Sequence, residues 1–180
     1  MKIAYLGPAS KISTELRLRP IEYSLDALPN VDVIISYRYR HLIPKQCLDA
    51  FSGRIINIHT SMLPWQRGAH PIFWGFIEGS QLGVTIHEID AGMDTGPIIA
   101  QIPVYVDPKT ATFKTAWHHI NANAVHFFLA LWPNLLDIMP QEQAQGGTKH
   151  FVSDLAEFIW DHYEPIQIDS RTRSNLFPGA

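Results

Sequence analysis

The sequence has 180 residues, a formal net charge of −3 and a single cysteine, Cys47. This length suits one domain with a substantial core, and the small negative charge gives no reason to expect a broad nucleic-acid-binding surface. One cysteine excludes an internal disulfide. No apolar run approaches the roughly 20 residues of a membrane span, and the apolar run at residues 2–6 is too short for a signal peptide. We therefore expect a cytoplasmic protein.

The first third of the chain alternates strand and helix patterns. Strands are predicted at residues 2–6, 31–36 and 54–59, with weaker helical patterns at residues 10–18 and 44–51. Gly7-Pro8 ends the first strand without the G-x-G-x-x-G spacing of a dinucleotide-binding loop. The strand at residues 54–59 is almost wholly apolar, which predicts burial on both faces of a parallel sheet.

The later elements complete an α/β pattern. They are a loop at residues 60–68, a helix at 69–78, strands at 82–89 and 98–106, a turn at Asp107-Pro108 and a long helix at 110–132, which Thr110 is expected to cap. The polar tail carries Gly146-Gly147 in a predicted turn and a possible helix at 151–163. We therefore expect a single domain over residues 1–180, with residues 141–180 as a C-terminal extension.

Two polar residues interrupt the apolar strand at residues 54–59. Asn57 and His59 are two positions apart, and side chains at that spacing point to the same face of a strand. An amide and an imidazole are therefore expected side by side where this strand ends. Each residue alone also has a purely structural explanation, because a buried Asn often bonds a neighbouring backbone and a buried His often completes a core.

Asp94 is the third candidate residue, in a glycine-flanked loop between two predicted strands. Asp beside Gly also favours ordinary turns, so this position alone is weak. An amide or a charged imidazole can stabilise the negative oxygen of a tetrahedral intermediate, and a carboxylate or an imidazole can take the proton that an attacking ammonium loses. Asn57, His59 and Asp94 together supply these groups for non-covalent transfer of an acyl group to an amine.

Two segments carry a resemblance to a known family. The segments N-I-H-T-S-M-L-P-W-Q-R-G, from Asn57, and I-D-A-G-M-D-T-G-P-I-I, which contains Asp94, resemble the folate-dependent formyltransferases. The family's H-P-S-L-L-P loop appears here as H-T-S-M-L-P, with Thr60 in place of Pro. The resemblance implies that Asn57, His59 and Asp94 are the catalytic residues, and that the fold is an α/β, Rossmann-like formyltransferase catalytic domain.

The position of Asn57 sets this chain apart from common members of the family. It comes about fifty residues early, so the resemblance implies a shortened N-terminal half. This spacing is similar to that of the formylation domain of linear gramicidin synthetase, and G-G-T-K-H at residues 146–150 is similar to a segment of sugar N-formyltransferases. The implied function is transfer of a formyl group from N10-formyltetrahydrofolate, as co-substrate, to the amino group of a nucleotide-linked amino sugar.

The resemblance also implies where the formyl donor binds. In the family, the pterin site is lined by the loop after the second strand and by the loop that carries the catalytic Asp. The corresponding candidates are Tyr39, Arg40, Leu42 and Asp90. For a sugar-nucleotide acceptor the candidates are Trp65, Arg67 and Lys149, each of which is equally well explained as an ordinary surface residue. The aromatic tail suggests a possible homodimer, and we expect neither a membrane nor a nucleic-acid partner.

Several other functions stay open at this point. Within the same family they are hydrolysis of formyltetrahydrofolate and formylation of an aminoacyl carrier protein or of methionyl-tRNA. A metal-dependent hydrolase using His59, His70, His87 and Asp94 is disfavoured, because no H-E-x-x-H or comparable ligand spacing is present, and we predict no metal site. A non-catalytic folate-binding module is the last alternative, since the shortened N-terminal half removes part of the usual wall of the folate site.

Overall fold

A computed structural model describes residues 1–22, 30–107 and 110–155 of the chain. In chain order the elements are β1 (Ile3–Leu6), α1 (Lys11–Glu15), β2 (Pro20–Ile21), β3 (Val33–Tyr37), α2 (Lys45–Ala50), β4 (Ile55–His59), β5 (Arg67–Gly68), α3 (Pro71–Glu78), β6 (Gly83–Glu88), β7 (Ile98–Pro103), α4 (Phe113–Leu131) and β8 (Lys149–His150), with 3₁₀ helices at Asn134–Asp137 and Val152–Leu155. Most of the predicted helix at residues 151–163, and Pro108 of the predicted turn, lie outside the described residues.

A six-stranded mixed sheet organises the fold. Its strand order is β2-β1-β3-β4-β6-β7, and the strands from β2 to β4 run parallel to one another. β6 pairs antiparallel with β4, and β7 antiparallel with β6. The expected α/β class is therefore confirmed. β4 is largely buried, as its apolar run predicts, although it pairs parallel with β3 and antiparallel with β6. Among the described residues only β1, α1 and β2 precede β3, in agreement with a short N-terminal half.

The main core lies between one face of this sheet and α4. Ile56 and Ile58 of β4, with Ile86 of β6, pack with the fully buried Ile120 and Phe128 of α4. Thr112 begins α4 through a reciprocal capping box with Thr115, a device that typically stabilises a helix by about 1 kcal/mol. Thr110, the expected cap, instead donates its hydroxyl to Asp107, so the predicted helix start is two residues early.

A smaller core covers the opposite face of the parallel strands. Leu6, Ile34 and Ile55 pack there against Cys47 of α2 and Phe51. Burial raises the pKa of the Cys47 thiol, which suits a packing role for the one cysteine.

Two boundary differences bear on the site. Tyr37 closes β3 instead of opening the following loop, because its ring is buried and its hydroxyl donates to Asn121 Oδ1 of α4 at 2.7 Å. The predicted loop at residues 60–68 contains β5, which pairs parallel with β8 in a separate two-stranded sheet. The tail is thereby joined to the loop that follows His59. No helix in the described part of the chain has both the length and the apolar content that a membrane span requires.

Candidate active site

Asn57 and His59 lie on β4, where it enters the loop at residues 60–66. The pairing of β4 with β6 sets Asn57 directly opposite His87. His59 and His87 are buried, with 7% and 1% exposure. The three polar side chains therefore share one face of the sheet, as the period of two on β4 predicts for Asn57 and His59.

Asp94 lies between these side chains. Its Oδ1 accepts from Asn57 Nδ2 at 3.3 Å, and its Oδ2 lies 3.6 Å from His59 Nδ1. Oδ2 also accepts the main-chain N–H of Gly68 at 2.8 Å. The structure therefore brings together the three residues that the sequence predicts to be catalytic. Their roles in a reaction stay predictions.

A backbone carbonyl fixes the orientation of the His59 ring. Its Nε2 lies 2.9 Å from the carbonyl oxygen of Gln66, and because a carbonyl only accepts, Nε2 carries the hydrogen. Nδ1 then carries only a lone pair in the neutral ring and a hydrogen in the charged ring. The nitrogen that faces Asp94 is therefore the one whose protonation changes.

His87 is a member of this cluster that the prediction of catalytic residues missed. Its Nδ1 donates to the carbonyl of Glu88 at 2.7 Å, and its Nε2 lies 3.1 Å from Asn57 Nδ2 and 3.5 Å from Asp94 Oδ1. In the neutral ring Nε2 accepts from the amide, which aims the Asn57 N–H groups into the site. The available signal was the alternation of apolar and polar residues in β6, which places His87 on the face opposite Ile86.

The electrostatics of the centre favour an ionised Asp94. Burial raises the pKa of this carboxyl, but the charge of His59, the contact with His87 and the N–H of Gly68 together hold the pKa well below its usual value. Asp94 is therefore a carboxylate throughout the physiological pH range. It attracts a positive charge, on His59 or on an incoming ammonium, more readily than it retains a proton.

The loop at residues 89–97, here called the Asp94 loop, is shaped by its own side chains. Both carboxylate oxygens of Asp90 accept the Thr95 hydroxyl, and Oδ1 also accepts the Gly92 N–H. Asp94 itself has a φ of 51°, in the left-handed region that Asp tolerates better than most residues. Contacts inside and outside the loop thus hold Asp94 in an unusual backbone conformation.

A cleft opens at the carboxyl ends of β1 and β3. Its volume is about 300 Å³, and its lining residues are Gly7, Pro8, Glu22, Arg38, Tyr39, Arg40 and His41. The chain leaves β1 toward β2 on one side and returns to β3 on the other, so the cleft lies at a point where the strand order reverses. Open α/β sheets characteristically bind ligands at such points.

The predicted formyl-donor contacts are only partly gathered at this cleft. Tyr39 and Arg40 line it, whereas Leu42 is 90% exposed nearby along the chain. Asp90 belongs to the Asp94 loop, where its carboxylate is already engaged. Burial and the nearby charge of Arg40 lower the pKa of His70, so Arg40 lies close to the start of α3. These contacts stay predictions.

The acceptor candidates lie in or beside the two-stranded sheet of β5 and β8. Trp65 is half exposed, and Lys149 lies over the ring of Phe151. The guanidinium of Arg67 donates to Gln143 Oε1 and to the carbonyl of Gly146, so it is engaged within the protein. Among residues 1–22, 30–107 and 110–155, no three His, Cys, Asp or Glu side chains are grouped in a way that holds a metal ion.

Comparisons with known proteins agree with this geometry. The formyl transferase family profile matches residues 13–129. The formyltransferase PseJ from Anoxybacillus kamchatkensis, crystallised with UDP-4,6-dideoxy-4-formamido-L-AltNAc and tetrahydrofolate, is 36% identical, with a TM-score of 0.85 over 93% of this chain and 97% of that chain.

Curated relatives include methionyl-tRNA and sugar N-formyltransferases. The methionyl-tRNA formyltransferase of Ruegeria pomeroyi is 32% identical over 83% of this chain and 50% of its own length. The GDP-perosamine N-formyltransferase of Brucella melitensis is 30% identical over 87% of this chain and 61% of its own length. The chain thus spans about half the length of the first of these relatives. The family profile covers well over half of the chain, including Asn57, His59 and Asp94, and the chain belongs to the formyl transferase family.

Proposed function

We propose that this protein transfers a formyl group from N10-formyltetrahydrofolate to a primary amine. The observation that carries the proposal is the position of the Asp94 carboxylate, 3.3 Å from the Asn57 amide and 3.6 Å from His59 Nδ1. An amide N–H, an imidazole and an ionised carboxylate around one space are the groups that amine attack on a formyl carbon requires. We also propose that residues 1–180 form one catalytic domain, with residues 141–180 as its C-terminal extension.

The amide and the imidazole act on the developing oxyanion. When the amine attacks, a carbon–nitrogen bond forms and the electron pair of the formyl C=O moves onto oxygen. The Asn57 amide contacts His87 Nε2 at 3.1 Å and Asp94 Oδ1 at 3.3 Å in this structure, and one of its N–H groups turns to the oxyanion in the reaction. In its charged form His59 presents Nδ1–H to the same space, because its Nε2–H is committed to Gln66.

Asp94 governs the positive charges of the reaction. Its ionised carboxylate attracts the ammonium that forms as the amine attacks. When the tetrahedral adduct collapses, the C=O re-forms and the carbon–N10 bond breaks. Charged His59 gives its Nδ1 proton to N10, and its neutral ring then takes the proton that the ammonium loses. Atoms and charge balance without a covalent enzyme intermediate.

We propose that the formyl donor binds in the cleft at the carboxyl ends of β1 and β3. We propose that Tyr39, Arg40, Leu42 and Asp90 contact the pterin and its chain. The support is that Tyr39 and Arg40 line the cleft at the reversal of strand order and that Arg40 lies close to His70. We also propose that main-chain groups of the Asp94 loop bind the hydrogen-bonding edge of the pterin.

We propose a nucleotide-linked amino sugar as the acceptor. The support is the likeness to PseJ, which extends over nearly the whole of both chains at 36% identity. The likeness to the GDP-perosamine N-formyltransferase points to the same class. Methionyl-tRNA is the second candidate, because the relatives that match this chain include methionyl-tRNA formyltransferases at 32% identity.

A formyl-transfer assay tests the proposal. The assay follows release of tetrahydrofolate from N10-formyltetrahydrofolate with each member of an acceptor panel, which consists of UDP-, GDP- and dTDP-linked amino sugars, methionyl-tRNA and an aminoacyl carrier protein. We expect release that depends on an amino-sugar nucleotide, together with a product heavier by one formyl group. Release at the same rate without any acceptor would identify a hydrolase instead. An inactive wild-type protein that still binds folate would contradict the transferase.

A further inference from the structure

Residues 141–150, here called the return segment, lie against both loops that form the candidate active site. Gln141 makes an isolated antiparallel bridge to Ile98 at the start of β7, and Lys149–His150 pairs with β5. Between these two anchors the segment passes the Asp94 loop. It therefore joins two parts of the site that are distant in the sequence.

Gln143 is the residue of this segment that reaches the Asp94 loop. Its Nε2 donates to the carbonyl of Asp94 at 2.9 Å and to the carbonyl of Gly96 at 2.8 Å. Both hydrogens of the amide are thus used on the turn that contains Asp94. These bonds stabilise the left-handed backbone conformation at Asp94.

Arg67 fixes the orientation of the Gln143 amide. Its Nη2 and Nε donate to Gln143 Oε1 at 2.7 Å and 3.1 Å. The two ends of the amide are therefore distinguished by chemistry, since the guanidinium requires the oxygen and the two carbonyls require the nitrogen. A flipped amide would lose all four contacts.

These hydrogen bonds form a closed network that begins and ends at Asp94. Gly68, which follows Arg67 in β5, donates its N–H to Asp94 Oδ2, while the Arg67 side chain holds Gln143 and Gln143 holds the Asp94 carbonyl. The carboxylate and the main chain of Asp94 are thus tied to the same dipeptide by two routes. Moving Gln143 would change the position of the carboxylate relative to His59 and Asn57.

We propose that Gln143 is a positioning residue for Asp94 and that Arg67 acts through Gln143. Neither side chain needs to contact the formyl donor or the amine for this role. The inference rests on the proposed formyl transfer, since the rate of that reaction is its readout. It accounts for an arginine and a glutamine that sequence patterns alone do not distinguish from surface residues.

The test compares Gln143→Glu, Gln143→Ala and Gln145→Ala. Gln143→Glu keeps the size of the side chain and its contact with Arg67 but cannot donate to the two carbonyls. Gln145 is exposed in the same segment and serves as the matched control. We expect both Gln143 variants to lower kcat about tenfold to 100-fold, with KM for N10-formyltetrahydrofolate within about threefold of wild type, and Gln145→Ala to match wild type.

The link to Arg67 is tested by a double-mutant cycle. If Arg67 acts through Gln143, the variant with both residues changed to Ala has about the kcat of Gln143→Ala alone. Multiplied effects of the two single variants would overturn the role of Arg67. Wild-type kcat in Gln143→Ala, or a kcat loss no larger than the loss of folded protein measured by circular dichroism, would overturn the role of Gln143. An inactive wild-type protein would instead contradict the proposed function itself.

Discussion

The centre around Asp94 and the cleft at the carboxyl ends of β1 and β3 are built in opposite ways. At the centre, each ring is oriented by a backbone carbonyl, and the carboxylate accepts a main-chain N–H. In the cleft, Arg40 is exposed and the exposed Arg38 lies over the Trp117 ring at 4.6 Å, while Leu42 nearby along the chain is 90% exposed. A preorganised centre favours the transition state of a reaction, whereas exposed side chains are free to adapt to a ligand.

This contrast predicts a functional division between the two regions, in which each region affects a different kinetic parameter. Changes at the centre should lower kcat with little effect on KM, because their interactions strengthen in the transition state. Changes in the cleft should raise KM and leave kcat nearly unchanged.

The largest effect is expected for Asp94→Asn. Asparagine tolerates the φ of 51° at this position, so the variant keeps the backbone and removes the charge. We expect kcat to fall about 1,000-fold, in the range of lost acid–base catalysis. A stopped assay at saturating formyl donor and acceptor measures it. Near wild-type turnover would remove Asp94 from the proton-transfer step.

Asn57→Ala should have the next largest effect. The amide is one of the two candidate oxyanion donors, and loss of one such donor typically lowers kcat about 100-fold. His87 Nε2 and Asp94 Oδ1 would also lose the hydrogen bond that orients them. Steady-state kinetics with the formyl donor varied separates the two parameters. A rise in KM at unchanged kcat would place Asn57 in ground-state binding instead.

The centre was more predictable from sequence than its supports. Asn57 and His59 were identifiable because a strand fixes their spacing, and Asp94 because its motif resembles that of a known family. His87 was missed because its position opposite Asn57 follows from antiparallel pairing of β4 with β6, which the sequence does not state. Gln143 contacts backbone carbonyls, and such partners leave no residue pattern.

The fold was likewise only partly predictable from the sequence. The α/β class and the longer helices and strands followed from periodicity, because apolar spacing reflects which face is buried, whereas β2 was not predicted. The register of the sheet and the short β5–β8 pair did not follow from periodicity, since two-residue strands carry no pattern. The cap of α4 was misplaced because Thr110 and Thr112 are both suitable residues, and only the reciprocal bonds with Thr115 identify Thr112.

Gly68→Ala tests how strongly the centre depends on close backbone contact. Gly68 has a φ of 90°, and an added Cβ would lie 2.1 Å from the carbonyl oxygen of His150. The shift of β5 would move the N–H that Asp94 accepts. We expect a roughly 30-fold lower kcat, somewhat less than the effect of a displacement of about 1 Å at a reacting group.

Gly146→Ala is the matched control for this variant. Gly146 has a similar φ of 95°, but an added Cβ would meet nothing within 4 Å. Backbone strain is therefore common to both variants, whereas the clash is present only in Gly68→Ala. Equal losses of kcat in the two variants would show that strain, and not contact with the return segment, is the cause.

Arg40→Ala examines the cleft. If Arg40 contacts the formyl donor, loss of one charge-assisted bond should raise KM for that substrate about tenfold, with kcat within about twofold. Arg19→Ala removes the same charge at an exposed position just before β2, outside the residues that line the cleft, and should leave both parameters unchanged. A raised KM for the acceptor alone would place the acceptor at Arg40, and a lowered kcat would break the division between centre and cleft.

The smallest effect concerns stability as a function of pH. The pKa of Asp94 is lower in the folded protein than in the unfolded chain, where it is about 3.9. The ionised carboxylate therefore stabilises the fold above pH 4, and this contribution is lost as the pH falls through the folded pKa. At pH 7 we expect wild type to melt about 2–4 °C above Asp94→Asn, and this difference to shrink below pH 4. A difference that is constant from pH 7 to pH 3 would mean that shape, and not charge, is what Asp94 contributes to the fold.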